Sequence, residues 1–170
     1  ALVQRAFAAR GVDLDAEGLA AETAAATQFY GEHLCEETTL FDGVAETLGV
    51  LRDEGWRMGV CTNKPQRSTE PLLDALLIDH YFSAVFGGDL LAGIRKPDPR
   101  HVLAVLARLG IGAAEAVMVG DSPNDVLAGQ GAGIPVIAVT YGYSLGPVEV
   151  LGADYFVDNL RELPALLMDL

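Results

Sequence analysis

The chain of 170 residues has the size for one substantial core and a small appendage. Half of it is apolar, and 24 acidic residues against 11 basic ones give a formal charge of −13, which argues against nucleic acid or an anionic membrane as partner. Cys35 and Cys61 stand apart, with no Cys-x-x-Cys pair or Cys/His cluster, so neither a zinc site nor a disulfide framework is suggested and a reducing, cytoplasmic setting is expected. No apolar run is long enough to span a membrane.

In chain order, the Ala-rich stretch over 1–38 predicts a helical pair, broken at Gly11, with Asp13 or Asp15 capping the second helix. The opening Ala1-Leu2-Val3 carries neither an initiating Met nor a signal-peptide pattern, so it reads as a fragment or a processed product. After Thr38 the texture changes, and a domain boundary is placed there, with a second domain over 39–170. That domain predicts a helix over 44–52, a strand over 57–61, a helix over 65–77, a strand over 84–86 and a helix over 99–109. It continues with a strand over 116–119, a helix over 123–132, a strand over 135–139, a short helix near 147–151, a strand over 155–157 and a helix over 160–168. Such alternation is the pattern of βαβ units and an α/β fold with a mostly parallel sheet.

Three segments carry chemistry, two of them at strand exits. The apolar run at 116–119 stops at Gly120-Asp121-Ser122-Pro123-Asn124-Asp125, which places two carboxylates four residues apart at the carboxyl end of a buried strand. A hard cation such as Mg²⁺ is the natural occupant, and a turn with a helix cap is the plainer alternative. Thr62-Asn63-Lys64-Pro65 sets a hydroxyl, an amide and backbone N–H groups at another strand tip, a set suited either to an anion or to capping the next helix. In Arg95-Lys96-Pro97-Asp98-Pro99 the proline keeps Lys96 out of a helix, so that an extended lysine can reach a phosphoryl group or a carboxylate. A net charge of −13 repels anionic ligands in general, so any attraction must come from such local cations.

The order Thr62/Asn63, Lys96, Asp121/Asp125 resembles the haloacid dehalogenase (HAD) superfamily. The segments reading CTNKP, RKPDP, VGDSPNDV, AGIPVIAVTYGY and GADYFVDNL look most like its bacterial phosphoglycolate phosphatase branch. The resemblance implies a Rossmann-like three-layer α/β core joined to an α-helical cap, with residues 1–38 as part of that cap. It further implies Mg²⁺-dependent hydrolysis of a small phosphorylated metabolite through an aspartyl-phosphate. By this carry-over Asp121 is a direct Mg²⁺ ligand, and Asp125 orients the metal's waters or holds Asp121 and Lys96. Thr62 and Asn63 bind phosphoryl oxygens, and Lys96 pairs with phosphate and nucleophile. A related phosphomutase, or a non-catalytic remnant binding metal or a partner, is the alternative. A receiver-type signalling domain is disfavoured, because its acidic pair precedes its Thr and Lys.

The family's first motif, Asp-x-Asp-Gly-Thr after a central strand, has no counterpart here. Asp13-Leu14-Asp15-Ala16 follows Gly11 rather than a strand and reads as a helix cap. The core is therefore expected to lack its first, central strand. An apolar slot, instability or association, and no aspartyl-phosphate chemistry by the chain alone are expected with it. Phe29, Tyr30 and His33 are expected in core packing, His80 and His101 as structural or surface residues, and Cys61 as a buried apolar residue.

Overall fold

A computed structural model describes residues 2–142 and 148–170, with the side chains of Val148 and Glu149 left aside. The chain falls into two compact units, Ala1–Thr38 and Thr39–Leu170. The first holds α1 (Leu2–Ala8) and α2 (Ala16–Glu32). Asp15, not Asp13, caps α2 by accepting the Gly18 N–H at 2.8 Å. Neither helix contains a buried residue. Phe29, expected in a core, is 63% exposed and stacks on the exposed His33 at 4.1 Å, and Tyr30 is exposed as well. Two helices offer too little surface to enclose such rings.

The second unit alternates helix and strand. Its helices are α3 (Val44–Asp53), α4 (Gln66–Ala75), α5 (Pro99–Leu109), α6 (Pro123–Gly131) and α7 (Leu163–Met168), and its strands are β1 (Met58–Cys61), β2 (Phe82–Phe86), β3 (Met118–Gly120), β4 (Val136–Val139) and β5 (Tyr155–Val157). Every pairing between these strands is parallel. Val136 and Ile137, adjacent in β4, are both fully buried. Successive strand residues face opposite sides, so Val136 packs with α5 and α6 residues such as Val102 and Val126, while Ile137 packs with Leu51 of α3 and Leu163 and Leu167 of α7. Helices thus cover both faces of the strands, a three-layer α/β architecture. A third apolar cluster, around Leu48, Leu73 and Ile78, seats β1 and β2 against α3 and α4.

The strands form two sheets rather than one: β1–β2 and β3–β4–β5. Between β1 and β3 lies an apolar cleft of about 380 Å³, walled by both strands, by Val102, Val105 and Leu106 of α5 on one side and by Leu51 and Leu163 on the other. Among the described residues β1 and β3 therefore each present one unpaired edge to this cleft, a row of backbone donors and acceptors that a further strand could pair.

Smaller departures from the sequence reading have local causes. The helix expected over 65–77 starts at Gln66, with Pro65 as its cap residue, and the helix expected over 160–168 opens as a 3₁₀ turn, Leu160–Glu162. Short 3₁₀ turns at Asp79–Tyr81 and Ala113–Glu115, each feeding a strand, carry no period for sequence reasoning to detect. Near 147–151 the described part is a 3₁₀ turn, Val148–Leu151, while Pro147 lies outside the described residues.

Candidate active site

β3 ends at Gly120, and the chain turns through Asp121 and Ser122 into α6, with Pro123 as its first residue. Asp125 stands in the third position of that helix, where a carboxylate can reach back to the free N–H groups of the first turn. Its Oδ2 accepts from the Asp121 N–H at 3.1 Å, the Ser122 N–H at 3.0 Å and the Ser122 hydroxyl at 2.7 Å. Its Oδ1 accepts from Lys96 Nζ at 2.5 Å. This ion pair is enclosed, the Lys96 side chain being 11% exposed and that of Asp125 5%. Burial raises the carboxyl's pKa, but the Lys96 charge, with hydrogen bonds from Lys96, Ser122 and Asp121, outweighs it and holds Asp125 below the usual carboxylate range.

The tuck of Asp125 depends on Gly120, where a Cβ would collide with the Cβ and Cγ of Asp125. A second close approach frames Asp121: a Cβ on Gly142, in the segment after β4, would collide with the Asp121 carboxylate. Next to Gly142, Tyr141 meets Phe41 edge to face at 5.0 Å.

At the end of β1, the Thr62 N–H continues the parallel ladder to the Phe86 carbonyl at 3.0 Å, and its Oγ1 accepts the Lys64 N–H at 3.1 Å. Accepting there leaves the hydroxyl's own proton to be donated elsewhere. Asn63 Nδ2 donates to the Lys96 carbonyl at 2.8 Å. Neither residue caps α4 at Gln66, since Asp89, beyond β2, accepts the Gln66 N–H at 2.7 Å. Lys96, whose bond to Pro97 is cis, turns inward, whereas Arg95 is exposed. Asp98 then caps α5 by accepting the Arg100 N–H at 3.0 Å.

The structure thus joins Asn63, Lys96, Asp125 and the Asp121 backbone in one chain of contacts at the carboxyl ends of β1 and β3, on the rim of the cleft. Cys61, inside that rim, has its thiol pushed up to about 11 by burial, and is inert rather than nucleophilic. Sequence reasoning missed Ser122 as a partner of Asp125, although the Ser-x-x-Asp spacing of a capping box was there to be read. It also missed Gly142, whose role comes from a contact 21 positions away and leaves no local trace.

A single carboxylate at a strand tip, Asp121, with its neighbour Asp125 already engaged by four donors, is an oxygen donor set that fits Mg²⁺. That ion keeps several waters and takes one or two protein carboxylates plus phosphate oxygens. Among the described residues no three His, Cys, Asp or Glu side chains gather into a metal cage.

Comparison with known proteins shows the family. A family model described as haloacid dehalogenase-like hydrolase matches residues 1–133. The chain is 42% identical over 164 residues to a phosphoglycolate phosphatase of Caulobacter vibrioides, covering 96% of this chain and 69% of that protein. It is 39% identical over 140 residues to a phosphoglycolate phosphatase of Haemophilus influenzae, covering 82% of this chain and 62% of that one, so the chain spans about two thirds of the length of these relatives. A crystal structure described as a predicted phosphoglycolate phosphatase from Haemophilus somnus superposes with a TM-score of 0.89 at 31% identity, over 97% of this chain and 73% of that one. Another, provisionally named a beta-phosphoglucomutase, from Thermotoga maritima, gives 0.70 at 27% identity over 85% and 65%. The chain belongs to the haloacid dehalogenase-like hydrolases.

Proposed function

We propose that the chain forms the metal-holding and phosphate-holding part of a Mg²⁺-dependent phosphomonoesterase acting on a small phosphorylated acid of the phosphoglycolate type. The observation that carries this reading is the buried Lys96–Asp125 pair, hydrogen-bonded to the Asp121 backbone just past the end of a strand that walls the apolar cleft. Phosphoryl transfer requires mainly positioning and charge neutralisation, and these residues divide that work. Asp125 holds Lys96 and the Asp121 backbone in place. Lys96 neutralises a phosphoryl oxygen and the attacking carboxylate. Thr62 donates its hydroxyl proton to the phosphoryl group, and Asn63 its backbone N–H and the second of its amide hydrogens. Asp121 is the carboxylate that holds Mg²⁺, which supplies charge neutralisation on the phosphoryl oxygens when bound.

The attacking carboxylate is supplied by an extended segment seated between β1 and β3, whose apolar side chains fill the cleft and whose end reaches Lys96. Such a strand pairs both open edges, and the transferred group then passes through an aspartyl-phosphate. Residues 1–38 are in this reading part of a helical cap, and the working enzyme includes a strand beyond those the chain itself contributes to its two sheets. The likeness to the Thermotoga maritima structure favours a phosphomutase as the second reading.

The test is phosphate release, with and without Mg²⁺, from phosphoglycolate and a panel of sugar phosphates, using the chain joined to an apolar extended segment that ends in Asp-x-Asp-Gly-Thr. Release from phosphoglycolate supports the phosphatase. Interconversion of hexose phosphates without release supports the phosphomutase, and activity unaffected by Lys96→Met or Asp121→Asn contradicts both.

A further inference from the structure

The segment 140–142 leaves β4 under three separate restraints. Thr140 stays beside the end of β5, its N–H donating to the Val157 carbonyl at 3.0 Å and its hydroxyl to Asp158 Oδ1 at 2.6 Å. The Tyr141 ring meets Phe41 edge to face, with centroids 5.0 Å apart. The Gly142 backbone lies so near Asp121 that a Cβ on it would stand 2.2 Å from the Asp121 Cβ and 2.5 Å from its Oδ2. Gly142 does not have a positive φ, so it is this close approach that calls for glycine there.

Phe41 is held in turn, although 46% exposed. Its carbonyl accepts the Val44 N–H at 3.3 Å, and the adjoining Asp42 accepts both Nη1 and Nη2 of Arg161, at 2.5 and 3.1 Å. Among the described residues neither aromatic ring belongs to the three apolar clusters that make the core. The pair therefore places the loop after β4 rather than filling an interior.

We propose that Tyr141 is a positioning residue for the metal site: its ring, seated on Phe41, holds Gly142 against Asp121 and so keeps the Asp121 carboxylate in one rotamer. The proposal rests on the reading of Asp121 as the Mg²⁺-holding group. A carboxylate fixed before the ion arrives loses less side-chain freedom on binding than one that samples its rotamers, so it holds the ion more tightly. The ring does this work and the hydroxyl does not, which separates the role from direct contact between Tyr141 and a substrate.

Two measurements on the whole chain test it. In the first, the χ1 rotamer of Asp121 is read from three-bond couplings in the metal-free chain. One rotamer is expected in the wild type and in Tyr141→Phe. Averaging among rotamers is expected in Tyr141→Ala and in Phe41→Ala, whose exposed ring can be removed without opening the core. In the second, Mg²⁺ binding is followed by calorimetry. Tyr141→Ala and Phe41→Ala are each expected to weaken Mg²⁺ about fivefold, within the worth of one aromatic pair, while Tyr141→Phe stays within about twofold of the wild type. The double variant Phe41→Ala/Tyr141→Ala is expected to lose no more than either single one, because the two rings act as one contact. An averaged Asp121 in the wild type, an unchanged rotamer or Mg²⁺ affinity in a folded Phe41→Ala, additive losses in the double variant, or a Tyr141→Phe as weak as Tyr141→Ala each overturn the proposal. A rotamer fixed by the pair in a chain that binds no Mg²⁺ supports the positioning role and overturns Asp121 as the metal-holding group instead.

Discussion

Lys96 and Asp125, 29 positions apart in the chain, meet in a buried ion pair that ties the loop after β2 to the first turn of α6. The two side chains differ in what each loses if the other is removed. Asp125 keeps three donors from Asp121 and Ser122, whereas Lys96 would be left as an enclosed cation.

Asp125→Asn is therefore expected to destabilise the chain by about 3 kcal/mol, and Lys96→Met by clearly less, in urea unfolding. The double variant Lys96→Met/Asp125→Asn is expected to be more stable than Asp125→Asn alone, because the stranded charge is gone. Equal losses from the two single variants would show that the pair is not the organising contact.

Stability should fall on the acid side in two steps. Burial, with Lys96 adding repulsion, holds the His101 pKa below the ordinary histidine value, so the unfolded chain takes up this proton first and stability declines as pH drops below about 6.5. Asp125 also has a lowered folded pKa, so its contribution is present above the ordinary carboxylate value and is lost as pH falls through the folded one, below about 4. Urea midpoints measured from pH 8 to 3 should show both steps, and His101→Leu should remove only the upper one.

Gly120→Ala and Gly142→Ala separate fold from site. The first forces Asp125 out of its tuck and should cost about 1–3 kcal/mol of stability. The second presses on the Asp121 carboxylate from a half-buried segment, and is expected to weaken Mg²⁺ binding by calorimetry more than it lowers the melting temperature. Unchanged Mg²⁺ binding in Gly142→Ala would remove Asp121 as the metal-holding group.

With its thiol pushed up to about 11, Cys61 should react with iodoacetamide at pH 8 about a hundredfold more slowly than a free cysteine in a Cys35→Ser background, and approach it only in strong alkali. Because the folded value is raised, the stability contributed by the neutral thiol is lost as pH rises from about 9 to about 11. Rapid alkylation at pH 8 would mean that the end of β1 is open to solvent.

The placement of these groups was legible where chemistry follows locally from sequence. An apolar run halted by Gly120-Asp121 marks a strand end, and Pro97 keeps Lys96 out of a helix, in the loop that leads into α5. The α/β class followed from the alternation of strands and helices after Thr38. What was not legible depends on contacts between distant segments. Asp89 caps α4 where Thr62 or Asn63 was the local candidate, because β2 delivers it beside Gln66. For His101 the sequence left a structural and a surface role open, and its full burial is decided only when α5 is laid across β1 and β2. Phe29 and Tyr30 read as core because they are aromatic, yet a helical pair has no interior to receive them.

The most direct test of the proposed chemistry is single-turnover phosphate release from phosphoglycolate with Mg²⁺, comparing the 170-residue chain by itself with the same chain joined to a strand that ends in Asp-x-Asp. No release is expected from the chain alone, and Mg²⁺-dependent release, abolished by Asp121→Asn, from the joined protein. Release by the chain alone, or a joined protein that folds with its cleft filled and remains inactive, would contradict the proposal.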